Sequence, residues 1–163
     1  MEDIWLGLRL LLLLGAANTA PIVIKRVLGG RWNAPLDAGL RFVDGRPLLG
    51  PSKTVRGLVA AVVGSSVGAL VLDLPLSAGA LIGGAAMAGD ALSSFVKRRL
   101  GVAPSDRATG LDQVPESLLP LVAVQQRLHL SPALIFGVTL AFFALEIPLA
   151  RWSHRRGLRD RPY

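Results

Sequence analysis

Asp90 and the triplet Lys97-Arg98-Arg99 occupy one apolar segment of this 163-residue chain, and their spacing is the first sign of chemistry in it. Ala78–Val96 reads as a membrane span of about 19 residues, close to the ~20 that cross a ~30 Å hydrocarbon layer. Asp90, Ser93, Ser94 and Lys97 recur at i, i+3, i+4 and i+7, which is a single helical face. At 1.5 Å rise per residue, Asp90 lies roughly 10 Å inside the point where Lys97 emerges. A carboxylate at that depth is costly unless a metal ion, a partner or water compensates it, so it marks a functional site.

Two further constellations converge on the same end of the chain's spans. Gly50-Pro51-Ser52-Lys53-Thr54-Val55-Arg56-Gly57 leads into a second apolar span. With Ser52 as N-cap, Lys53, Thr54 and Arg56 fall in the first helical turn, where free N–H groups and the positive dipole end favour an anion. Basic side chains are disfavoured there unless an anion such as a polyphosphate offsets them; ordinary Lys/Arg flanking of a membrane span is the competing explanation. The Gly/Lys/Thr pattern only superficially resembles a P-loop, because Pro51-Ser52 intervene and no strand–helix alternation surrounds it. The segment Gly101–Gln113 is turn-rich and ends in Asp112, which can face the same mouth as Asp90. Two carboxylates near Lys/Arg clusters fit Mg²⁺, which binds through one or two carboxylates plus substrate phosphates. An ion pair of Asp112 with Arg98 or Arg99 is the structural alternative.

The elements that must position these residues are membrane spans. The chain is 52% apolar with mean hydropathy +0.50, yet carries a formal charge of +7. That combination suits a small integral membrane protein with basic loops. Nucleic-acid binding would also explain the charge, but only 6% of residues are aromatic and the basic residues are not interleaved with stacking groups. There is no cysteine, hence no thiolate chemistry, and His129 and His154 stand alone near span ends.

Four apolar spans are clear: Ile4–Ile24, Gly57–Leu76, Ala78–Val96 and Pro132–Ala150. Val114–Leu128 is short and broken by Glu116 and Pro120, so it is either a shielded span or a re-entrant piece. Charge arbitrates between four spans and five. With five, Lys25–Arg56, Lys97–Gln113 and Arg151–Tyr163 lie on one side and hold sixteen Lys/Arg, against Arg127 alone on the other. The positive-inside rule then predicts five spans, the N-terminus outside and the C-terminus in the cytoplasm. The expected fold is an all-α integral membrane protein, a bundle of about five transmembrane helices with polar cytoplasmic loops. Residues 1–163 form a single membrane domain, and the loops 25–56 and 97–113 form the active-site mouth. In the first loop the Asp44-Gly45 turn between extended residues predicts a short hairpin. Gly64 and Gly68 in the second span, and Gly79, Gly83, Gly84, Ala86 and Gly89 in the third, predict a close-packed helical hairpin.

These residues together resemble the archaeal CDP-archaeol synthase family, the small membrane branch of the CTP-dependent phosphatidate cytidylyltransferases. The resemblance rests on Asp37-Ala-Gly39, Phe42-Val-Asp44-Gly45-Arg46, Gly50-Pro-Ser-Lys53-Thr54-Val-Arg56-Gly57, Gly89-Asp90 with Ser94-Phe95-Val-Lys97-Arg98-Arg99, and Leu111-Asp112-Gln113. It runs in order from about Asn18 to Gln113. One position departs: where such sequences carry a second acid three places after the aspartate of the Asp-Gln pair, this chain has Pro115, with Glu116 beside it.

The resemblance implies that CTP and an unsaturated archaetidic acid give CDP-archaeol and pyrophosphate with Mg²⁺. A lipid phosphate monoester, with its second pKa near ~6, is largely a dianion at neutral pH and needs no general base. What remains is charge neutralisation and in-line alignment of two polyanions. On this reading Asp90 and Asp112 hold Mg²⁺, with Asp44 a weaker candidate. Lys53, Thr54 and Arg56 hold the triphosphate. Lys97, Arg98 and Arg99, with Ser94 on the same face, meet the lipid phosphate or the leaving pyrophosphate. Asn18 either bonds into the site or pairs with a helix, and Arg9 and Glu146 snorkel or pair structurally. The partners are CTP, a prenyl ether-lipid phosphate and the bilayer, with no nucleic acid. The rival reading is a non-catalytic polytopic membrane protein, or a transporter subunit, that binds anionic lipid.

Overall fold

A computed structural model describes residues 2–103 and 110–155, with side chains described except at 147 and 150–155. Helices are the regular elements among these residues: α1 (Glu2–Leu28), α2 (Val55–Val71), α3 (Leu76–Arg99), α4 (Gln113–Val124) and α5 (Pro132–Arg155). Asp106, Arg107 and the tail after Arg155 lie outside the described residues, as does part of the expected second loop.

The five helices are the five segments expected, with shifted ends. α1 continues through Pro21, and α5 continues through Pro148 to Arg155, so Arg151–Arg155 are helical instead of tail. α3 runs to Arg99, which puts Lys97, Arg98 and Arg99 in its last turn, where the dipole favours cations. α1 and α3 are each long and apolar enough to cross a membrane by themselves. α4, at 12 residues, is only ~18 Å long. It nevertheless runs beside α3: Lys97 meets Asp112 at one end, and Arg127, just past α4, donates to Ser77 at the other (3.0 Å).

α3 is the central helix, packed between α2 and α4 and touching α1, while α5 closes the bundle against α1 and α4. The core is built from Leu10, Leu13 and Leu14 of α1, Ile82 of α3, Leu121 and Val124 of α4, and Ile135, Val138 and Phe142 of α5. The outer faces are apolar too. Val59, Val63 and Val67 on α2, Leu12 on α1, and Phe136 and Leu140 on α5 are all exposed. Apolar surface on that scale needs a cover, and a hydrocarbon layer is the cover that suits it.

The α2–α3 hairpin is as close as its small residues imply. A Cβ on Gly79 would sit 2.5 Å from the Ser65 carbonyl oxygen, and one on Gly83 would collide with Ser65 and Ala61. Ser65 uses the proximity: its hydroxyl donates to Ala61 O (2.6 Å) within α2 and reaches Gly79 O (2.8 Å) across the interface. The interface is therefore polar-stitched as well as close-packed, and it holds α3 in the register that matters for Asp90.

Candidate active site

The segment between α1 and α2 is folded back on itself. Pro35 and Thr54 form an antiparallel bridge, with Leu36 N–H donating to Lys53 O (2.7 Å) and Val55 N–H to Ala34 O (3.0 Å). A second bridge joins Arg41 and Pro47 around the expected Asp44-Gly45 turn, with Gly45 at φ +74°. Thr54, not Ser52, caps α2: it is extended (φ −124°, ψ 149°) and its hydroxyl accepts from Gly57 N–H (3.3 Å). Lys53 consequently precedes the helix instead of lying in its first turn. Its backbone is held by residue 36, and its side chain is directed into the bundle.

There the Lys53 ammonium pairs with the Asp90 carboxylate of α3. Lys97, one face-repeat further along α3, pairs with Asp112 (2.6 Å) at the start of α4, and its charge also acts on Asp90. The first loop, α3 and the α4 entry thus meet in one chain of charges. All four side chains are about a fifth exposed or less. Ser93 and Ser94 are buried on the same α3 face, with Ser93 donating to Asp90 O (3.0 Å).

The sequence reading missed one member, Glu116. Its carboxyl stands close enough to that of Asp90 for the two to interact, and Glu146 of α5 is near enough to act on Glu116 electrostatically. A signal for it existed: Glu116 follows Asp112 by four residues, so both acids share one side of the α4 entry. The contact is set by Gly89, whose Cα packs directly on the Pro115 carbonyl and the Glu116 N–H. Two carboxyls in such contact repel unless a proton or a cation stands between them. Among the described residues no three acids stand close enough together to hold a metal ion by themselves, so a divalent ion here would need phosphate oxygens to complete its shell.

Other candidates are committed to holding the loop. Arg99 pairs with Asp44 (2.6 Å), donates to Pro47 O (2.7 Å), and lies 4.8 Å from the Phe42 ring and 5.0 Å from the Phe95 ring. These rings meet edge to face at 5.3 Å. Arg46 donates to the Arg98 and Arg99 carbonyls (3.0 and 2.8 Å), and Arg98 to Ala103 O (2.9 Å). The hairpin is thereby fastened to the end of α3, beside a cleft of 260 Å³ lined by Arg46, Pro47, Arg98 and Gly101–Ala103. Arg56 reaches back to the carbonyls of Gly29 (2.8 Å) and Arg31, where the end of α1 offsets its unfavourable place at the start of α2. Asn18 donates to Leu14 O (3.1 Å) within α1.

The Arg99 clamp makes a direct prediction. Lysine keeps the charge but cannot bond a carboxylate and a carbonyl while stacking on two rings. Arg99→Lys should therefore release the hairpin, seen as faster limited proteolysis after Arg41 with little change in the melting of the helical bundle.

Comparison with known proteins agrees with this architecture. Residues 3–77 match the family described as CarS-like, CDP-archaeol synthase. A CDP-archaeol synthase of Hyperthermus butylicus is 39% identical over 130 residues, covering 74% of this chain and 74% of its own. Another, from Saccharolobus solfataricus, is 35% identical over 148 residues and covers 86% of each. A solved structure of an intramembrane enzyme for archaeal membrane lipid biosynthesis superposes with TM-score 0.73 at 32% identity, covering 86% of this chain and 90% of that one. With the half-buried acid, its lysine partners and the apolar outer faces on the same scaffold, the chain is an integral membrane enzyme of the CDP-archaeol synthase family.

Proposed function

We propose that this enzyme transfers CMP from CTP to the phosphate of 2,3-bis-O-geranylgeranyl-sn-glycerol 1-phosphate, giving CDP-archaeol and pyrophosphate. The observation that carries the reading is the junction of Lys53, Asp90, Glu116, Lys97 and Asp112 from the first loop, α3 and α4. A lipid phosphate oxygen attacks the α-phosphorus of CTP, and the bond from that phosphorus to the β-bridging oxygen breaks as pyrophosphate leaves. The dianionic nucleophile needs no base. It needs its repulsion from the triphosphate cancelled, and two lysines already held among carboxylates are preorganised to do so.

Lys53 suits the triphosphate, because it enters from the loop, and Thr54 and the start of α2 lie beside it. Lys97 suits the lipid phosphate or the departing pyrophosphate at the end of α3, with Ser94 below it. Asp90 and Glu116, with Asp112, are the residues that would hold Mg²⁺, which when bound neutralises phosphate charge that lysines alone leave uncompensated. The basic loops favour a cytoplasmic site with the N-terminus outside, where CTP is available. A prenyl-chain substrate can then enter sideways from the bilayer.

The test is purified protein in nanodiscs with labelled CTP and the lipid phosphate, with and without chelator. CDP-lipid and pyrophosphate should form in equal amounts and both vanish with chelator; no incorporation of label would refute the reading. Diacylglycerol phosphate as an alternative acceptor distinguishes ether from ester preference. Lys53→Ala should weaken CTP binding by about tenfold or more, with an unchanged CTP affinity ruling out its phosphate role.

A further inference from the structure

Asp37 lies in the first loop, far in sequence from the acids of the site, yet it is 6% exposed. Its carboxylate accepts three backbone N–H groups: Gly39 (3.0 Å) on one oxygen, Leu49 (2.9 Å) and Gly50 (3.1 Å) on the other. Burial pushes the carboxyl up, but the bonds from Leu49, Gly50 and Gly39 together hold it below its ordinary value of 3.8. The depressed value means that the ionised brace is in place at neutral pH and is lost only as pH falls through it.

What those bonds grip is the turn that launches the site lysine. Gly50 stands at φ +100°, Pro51 and Ser52 follow, and Lys53 N–H closes the turn on Gly50 O (3.3 Å). Asp37 holds the entrance of that turn through Leu49 and Gly50, and its neighbour Leu36 holds the exit through Lys53 O. From the far side of this clamp the Lys53 side chain reaches Asp90. These three hydrogen bonds all end on the Asp37 loop itself, so the residue acts on the chemistry through the backbone.

We propose that Asp37 is a positioning residue for the nucleotide site: it sets the 50–53 turn from which Lys53 meets the triphosphate. The inference rests on the proposed role of Lys53 in binding CTP. Losing a charge-assisted grip on two adjacent N–H groups, Asp37→Ala should raise KM for CTP by about tenfold or more. KM for the lipid phosphate and the melting temperature of the bundle should stay near the wild-type values. Asp37→Asn, which keeps one carbonyl oxygen, should fall between. Gly50→Ala leaves Asp37 intact but strains the same turn, and it should reproduce the CTP-selective defect.

Hydrogen exchange gives a readout independent of turnover. The Leu49 and Gly50 amides should be protected in the wild type, exchange freely in Asp37→Ala and exchange at an intermediate rate in Asp37→Asn. An unchanged CTP KM with those amides deprotected would overturn the proposal. So would a rise in both KM values accompanied by a lower melting temperature. If the wild-type protein itself fails to use CTP, the functional reading falls, whereas unaltered exchange at Leu49 and Gly50 in the variants removes the brace.

Discussion

Asp90→Asn is expected to lower CTP incorporation into lipid by about 10²–10³-fold or more, while the protein still inserts and purifies as a folded species. The substitution preserves size and can keep a hydrogen bond to Lys53, but it removes the negative charge on which the cluster is centred. The proposed Mg²⁺ site would lose the acid contributed by the central helix, and Lys53 would lose the charge that directs it inward. Part of the Lys53–Asp90 pair remains open to solvent, so the loss of stability should be modest, about 1–2 kcal/mol. Melting followed by circular dichroism alongside the radiolabel assay separates the two effects. A variant with wild-type turnover would eliminate Asp90 as a catalytic residue.

Gly89→Ala is the second large effect, and it acts without touching a charge. An added Cβ would collide with the carbonyl of Pro115 and come within 2.9 Å of the Glu116 nitrogen, both backbone groups that cannot swing aside. α4 must then move away from α3, parting Glu116 from Asp90. The expected cost is about 1–3 kcal/mol of stability or more, as in overpacked cores, with turnover falling further than a mild loss of folding would explain. Gly84→Ala is the matched control, since a Cβ there meets nothing within 4 Å. It should leave activity intact. Equal behaviour of the two variants would show that the α3–α4 contact does not register the acids.

The bundle and the helical face that carries Asp90 were legible because both are properties of one segment at a time. Run length identifies a span, and the i, i+3, i+4, i+7 spacing puts Asp90, Ser93, Ser94 and Lys97 on one face whatever surrounds them. The α2–α3 hairpin was legible from its glycines for the same reason. The start of α2 was not. Ser52 and Thr54 are both competent caps, and the choice is made by the Pro35–Thr54 bridge, a contact across the loop.

Pairing was the other hidden layer. Lys53 and Asp90 lie 37 residues apart, so nothing local announces that they meet. Arg99 and Asp44 look equally suited to phosphate and metal as residue types. Their engagement with each other, with Phe42 and with Phe95 emerges only when the hairpin docks on α3. Glu116 was obscured by Pro115, which displaces the acid by one position and leaves its recruitment to the Gly89 contact.

That the cluster draws its members from the first loop, α3 and α4 has a consequence for biogenesis. Until α4 has docked on α3, the nascent enzyme carries Asp90 without the Glu116 carboxyl that later adjoins it. The site is therefore complete only late, at the closing of the bundle, and a chain stalled before that point would leave its charged groups without their final neighbours.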